Sequence, residues 1–229
     1  MSKPVVILTS FLLLGITIIS FSVRNFTSRN SPTLFMAPTK EITSFHLGQK
    51  ETLADALWIR VVQDMDVCGR SDVVEQPAAG HSKLICNNSW VYAMLDRVTD
   101  LAPQFRLPYV VGGSLLSILV NDVEGARKIF EKGLVVYPND WLINYRAAYH
   151  YMYELKNYKR AGELYEKAAK NGAPPWVSSL AARMYTKAGQ NEIALRVLTE
   201  TLEADPESEA APLLRRRIDE LKAQTVDQK

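Results

Sequence analysis

Charge of one sign is what this chain lacks first. Its 229 residues hold 27 Lys and Arg against 25 Asp and Glu, a formal net charge of +2, with no basic stripe interleaved with aromatics. Nucleic-acid binders draw their affinity from phosphate neutralisation and concentrate positive charge far more strongly, so that class is set aside. Histidine is nearly absent: His46, His81 and His150 are scattered, and no paired-histidine zinc motif forms. There is no phosphate-cradling glycine loop and no nucleophile elbow. Strand-like alternation is scarce. Catalytic chemistry needs converging groups, and these absences point to a protein that is not an enzyme, with no cofactor and no small-molecule substrate.

What is present begins with an uncharged apolar run, residues 5–23, after the short flank 1–4. As a helix it would rise roughly 28 Å, close to the roughly 30 Å hydrocarbon core of a bilayer. It is longer than the apolar region of a cleaved signal peptide, although Ser20-Phe21-Ser22 is a possible cleavage site. The reading is therefore an uncleaved transmembrane signal anchor. Residues 24–45, with Ser, Thr, Asn, Pro32 and Pro38, read as a spacer. Lys3 lies on one side of the run and Arg24, Arg29 and Lys40 on the other, so the positive-inside count does not orient it.

The two cysteines, Cys68 and Cys86, bracket one segment. Three readings stand: a disulfide in an oxidising compartment, two free thiols, or metal ligation together with His81. The last has too few ligands and no tight spacing for a structural zinc site. The disulfide reading favours export, with the folded part in a bacterial periplasm.

From Leu47 onward helical apolar spacing dominates, and turn signals recur about every 35 residues, a period that asks for a repeat search. In DVEGARKIFEKGLVVYP, Ala126, Phe130 and Gly133 fall on one helix face and Pro138 closes the unit. Ala161, Tyr165 and Ala168 repeat that spacing, as do Ala194, Leu198 and Thr201 before Pro206. Asn121-Asp122, Lys156-Asn157 and Gly189-Gln190 supply the turns before these helices. Ahead of them stand Gly113-Ser114 with Ser117, Ala147-Ala148 with Tyr151, and Leu180-Ala181-Ala182 with Tyr185. A partial upstream copy has Val91, Leu95 and Val98 before Pro103.

These small and aromatic positions, with proline closing a unit, resemble the tetratricopeptide (TPR) repeat family. The resemblance implies an α-solenoid of about four helix-turn-helix repeats and a capping helix; with the transmembrane helix read from the apolar run, the expected fold is all-α. Its divisions are a divergent repeat over 46–106 with an insertion at 66–88, repeats at 107–140, 141–174 and 175–208, and a cap at 209–225. In the cap, Leu214, Ile218 and Leu221 share one face, and Arg215–Asp219 and Arg216–Glu220 are spaced to pair across a solvated one. Gly112-Gly113 is expected to permit close helix approach.

In the TPR family the first helices line a groove that holds a peptide. Carried over, this implies a groove of Val111, Leu115 and Ile118 from one repeat, Tyr145, Tyr149, Met152 and Tyr153 from the next, and Arg183 and Lys187 from the third. It would be apolar and aromatic at one end and basic at the other, suiting a peptide with large apolar side chains and an acidic flank. Tyr145 and Tyr149 stand where a carboxylate-clamping groove carries lysine and asparagine, so recognition of a chaperone tail is not expected. The resulting expectation is a scaffold that binds other proteins at a bacterial inner membrane, in a secretion, pilus or cell-wall assembly. The alternative is a non-catalytic accessory subunit of a membrane enzyme or transporter.

Overall fold

The computed structural model describes residues 15, 17, 38–44, 46–69 and 90–226. The chain divides into two compact units, Met1–Met36 and Ala37–Lys229. Gly15 and Thr17 are helical, and the rest of the apolar run 5–23 lies outside the described residues. Among the described residues, no helix is long and apolar enough to cross a membrane.

The second unit is helical throughout its described part. After a 3-10 turn at Lys40–Thr43 come α1 (Lys50–Gly69) and α2 (Trp90–Leu101). The helical segment 106–120 is α3, followed by α4 (Val123–Val136) and α5 (Trp141–Tyr153). Then come α6 (Tyr158–Lys170), α7 (Val177–Lys187), α8 (Asn191–Ala204) and α9 (Ala211–Val226). Each helix packs on its neighbour in sequence, so helical hairpins stack in order and no strand occurs among the described residues.

The turns explain why hairpins form at these points. Asn121 (φ 58°), Lys156 (φ 52°) and Gly189 (φ 75°) each occupy the left-handed region, one residue before the helix they introduce is capped. The αL residue ends one helix and re-aims the chain. Asp122 then accepts from the Gly125 N–H, and Asn157 from the Arg160 N–H, satisfying a backbone donor that the helix start leaves orphaned. Asp140 does the same for Leu142 and Ile143 at the head of α5. Four residues separate α5 from α6, one more than separate α7 from α8. That longer turn sets Ala147-Ala148 and Tyr151 in register with Ala181-Ala182 and Tyr185.

The core is a row of these hairpin contacts. Ala126 and Phe130 on α4, Ala161, Tyr165 and Ala168 on α6, and Ala194 and Leu198 on α8 are all buried. Leu214, Ile218 and Leu221 bury the inner face of α9 against α8. The glycines mark close approach. A Cβ on Gly112 would lie 2.7 Å from Leu95, and one on Gly113 2.8 Å from Phe130, so α3 fits between α2 and α4 only without those side chains.

Three details differ from the sequence reading. Helix α1 continues to Gly69, into the segment assigned to an insertion. Arg215 does not pair with Asp219; it donates to the Pro206 carbonyl at 3.1 Å, because it sits near the start of α9 within reach of the preceding turn. The expected Arg216–Glu220 pair does form, at 3.7 Å, and Glu220 also takes Arg217 at 2.7 Å.

The third difference is α3. It is π-helical over Pro108–Gly112 and Leu116–Val120, with one α-helical turn, Gly113–Leu115, between. Ser114 Oγ donates to the Val110 carbonyl at 2.9 Å, a local bond that competes with the regular ladder. A π-helical turn is wider than an α-turn and changes which side chains share a face.

Candidate functional site

The first helices of the three regular hairpins are α3, α5 and α7. A sequence spacing of 34 residues gives two files across them: Leu115, Tyr149 and Arg183 in one, Leu119, Tyr153 and Lys187 in the other. Ile118 and Leu119 are 61% and 64% exposed and Tyr153 56%, large apolar surfaces that no part of the described chain covers. Val111, Tyr149, Arg183 and Lys187 are also exposed, while Leu115, Tyr145 and Met152 are half-buried. The files change from aliphatic to aromatic to basic along the stack.

The aromatic section is organised by ring contacts. Tyr149 stacks on Tyr153 with centroids 5.7 Å apart and planes 7° from parallel. The Lys156 ammonium lies 4.8 Å from the Tyr153 centroid. Tyr145 meets Tyr165 edge-on at 5.5 Å and Trp176 at 6.0 Å, so the aromatic surface reaches the start of α7. Trp176, 44% exposed, follows Pro174-Pro175 in the turn. The sequence reading passed over it because no helical period includes it.

Between α3 and α5 lies a cleft of about 250 Å³, lined by Ser114, Ser117, Ile118, Phe130, Tyr145, Arg146, Tyr149 and His150. Three of the nine residues expected to line the groove, Ile118, Tyr145 and Tyr149, meet there. Arg183 and Lys187 line a separate cleft of about 120 Å³ between α7, α8 and α9, with Arg217 and Glu220.

The floor of the larger cleft is polar, and one of its atoms, the buried His150 Nε2, has no hydrogen-bond partner among the described residues. Ser117 Oγ and His150 Nδ1 are 3.0 Å apart, both residues being buried. The His150 ring also lies against Phe130, with centroids 5.6 Å apart. Burial, aided by the positive charge of Arg127, holds the imidazole below its ordinary pKa, against the opposing pull of the Val123 backbone and Glu124. His150 therefore favours its neutral form in the folded protein. Neither Ser117 nor His150 was legible as a pair, since they are 33 residues apart on separate helices.

The arginines of the first and second helices differ in their partners. On the second helices every arginine has a carboxylate: Arg127 with Glu124, Arg160 with Glu131 and Glu163, Arg196 with Glu166 and Glu200. Arg146, Arg183 and Lys187 on the first helices have none among the described residues. Lys187 instead lies 4.9 Å from the Tyr158 centroid.

The backbone of Cys68 belongs to α1, but its side chain, His81 and Cys86 lie outside the described residues. Among those that are described, no group of three or more His, Cys, Asp or Glu is placed to hold a metal ion.

No protein-family model matches the chain, and no curated protein matches it. Among solved structures it is similar to YrrB, described as a TPR protein with an unusual peptide-binding site. The likeness has 23% identity and a TM-score of 0.43, and covers 57% of this chain and 66% of that one. The chain thus spans just under two thirds of the length of that protein.

Proposed function

We propose that the chain is a membrane-anchored scaffold of a bacterial envelope, whose first-helix face binds a peptide segment of a partner protein. One observation carries this reading. The exposed surface of α3, α5 and α7 runs from aliphatic through stacked tyrosines to cations without carboxylates, while the arginines of the second helices are neutralised by their own neighbours. Exposed apolar surface of this extent is a feature of contact sites. Unpaired cations beside it fit an acidic flank on the partner. The partner is thus a protein segment with large apolar side chains next to Asp or Glu. YrrB is described as binding a peptide, which is consistent with this use of stacked helical hairpins.

Anchoring rests on the apolar run 5–23, and export on the pair Cys68 and Cys86. An anchor would confine the repeat unit to the membrane surface and raise its effective concentration near membrane-bound partners.

The test is capture from crosslinked native membranes. The double change Tyr149→Ala and Tyr153→Ala should reduce partner recovery while leaving helicity unchanged, because both rings are exposed. Recovery equal to wild type would remove the groove from the reading. Replacing residues 5–23 by an unrelated span should preserve capture by a scaffold; its loss would favour the accessory-subunit role. Alkylation of Cys68 and Cys86 with and without reductant, after membrane fractionation, tests the compartment: a disulfide in the membrane fraction supports export, and free thiols there oppose it.

A further inference from the structure

We infer that the cleft between α3 and α5 is an anchor pocket: it takes one large apolar side chain of the bound peptide, and Arg146 takes a carboxylate next to that side chain. This deepens the groove reading and rests on it.

Three features of the cleft support it. Its walls are apolar and mostly fixed, since Phe130 is buried and Tyr145 is held edge-on by Tyr165 and Trp176. Its two buried polar residues bond to each other, Ser117 Oγ with His150 Nδ1, so an apolar occupant strands neither of those two atoms; His150 Nε2 has no hydrogen-bond partner among the described residues. It also stays open because α3 contributes small side chains. Ser114 and Ser117 face α5, and Ser114 turns its hydroxyl back onto the Val110 carbonyl. A space of about 250 Å³ with those walls fits a single large side chain.

The acidic neighbour follows from charge. Arg146 lines the cleft, is exposed, and has no carboxylate among the described residues. An arginine fork matches a carboxylate in geometry as well as in sign. Arg183 and Lys187 continue the same sign further along the stack, so the acidic flank extends from the anchor toward α7.

The test begins by panning a displayed library of random peptides against the full chain in nanodiscs, with empty nanodiscs as the counter-selection. A fluorescein-labelled synthetic peptide of the enriched sequence then reports affinity by anisotropy. The expected enrichment is a large apolar residue adjacent to Asp or Glu. Ser114→Trp, which fills the cleft, should weaken that peptide at least about tenfold. Ile118→Asp, at an exposed wall position that leaves the fold intact, should do the same, with helicity checked by circular dichroism. Arg146→Glu should shift the preference at the neighbouring position from acidic to basic.

Enriched peptides that ignore Ser114→Trp and Ile118→Asp, yet are lost on Tyr153→Ala or Arg183→Glu, would overturn the anchor pocket and leave the groove standing. No enrichment over empty nanodiscs would remove both. A self-associated chain that Ser114→Trp dissociates in sedimentation would assign the cleft to a second copy and overturn the peptide.

Discussion

The Tyr185 hydroxyl donates to Glu166 Oε2 at 2.6 Å, tying α7 to α6 at a buried point between successive hairpins. One repeat earlier the Tyr151 hydroxyl meets Glu131 Oε1 at 2.5 Å in the same way. Each carboxylate also receives a cation from the next second helix, Arg160 at 3.6 Å from Glu131 and Arg196 at 3.0 Å from Glu166. Burial alone would push the Glu166 carboxyl up, but the bonds from Lys170, Tyr185 and Arg196 outweigh it and hold it below its ordinary range. Burial first, then the Glu166 charge, pushes the Tyr185 phenol up, so it remains a donor at neutral pH.

Tyr185→Phe keeps the ring and removes only that bond. Hydrogen bonds to charged groups are worth about 1.5–3 kcal/mol, and Glu166 keeps two other donors. The expected loss is therefore about 1–2 kcal/mol, read as a lower urea midpoint. A midpoint equal to wild type would show that Lys170 and Arg196 suffice.

Gly133 supplies a second test, where two forces oppose. Alanine is favoured over glycine in a helix by about 1 kcal/mol. A Cβ at Gly133, however, would lie 2.9 Å from the Tyr109 Cβ, which cannot move without shifting α3. Overpacking a fitted core costs about 1–3 kcal/mol. Gly133→Ala should lower the melting temperature; a rise would mean that α3 yields easily.

The faces of α4, α6 and α8 were legible because their small and aromatic residues recur at a fixed helical spacing, and burial of that spacing is local. The turns were legible because Asn121-Asp122, Lys156-Asn157 and Gly189-Gln190 carry both the αL residue and the cap position. The π-helical path of α3 was not. Gly112, Gly113 and Ser114 permit it, but the choice is made by Leu95 and Phe130 on two other helices. His150 was hidden for a related reason: it lies between Tyr149 and Tyr151, and only the packing of α5 decides that it is buried along with Tyr151 while Tyr149 stays exposed. The groove residues were placed by resemblance to a family.

Asp140 joins two roles that substitution can separate. Its Oδ1 caps α5 through Leu142 and Ile143, and the Arg106 guanidinium donates to both oxygens at 2.5 and 3.0 Å. Asn caps as well as Asp, so Asp140→Asn should lose only the partly exposed ion pair, about 0.5 kcal/mol. Asp140→Ala removes both and should cost about 1–2 kcal/mol. Equal losses for the two variants would assign the stabilisation to Arg106 rather than to the cap.

His150 makes stability depend on pH in a definite direction. Its pKa in the folded chain is lowered from 6.5, first by burial. Above that value both folded and unfolded forms are neutral there, and the group contributes no pH dependence. As pH falls below 6.5 the unfolded chain takes up a proton that the folded chain resists, so stability declines until the folded pKa is reached. The slope for one proton is at most about 1.4 kcal/mol per pH unit. Glu124 and Arg127 face the ring from α4 and act in opposite senses, so they do not reverse the sign. Asp140 and Glu166, whose pKa values are lowered from 3.8 and 4.5, add their own losses only in more acid solution. Urea midpoints at pH 7.5 and 5.5 should therefore differ for the wild type, and His150→Gln should shrink the difference. An undiminished difference in His150→Gln would place the titration on another group.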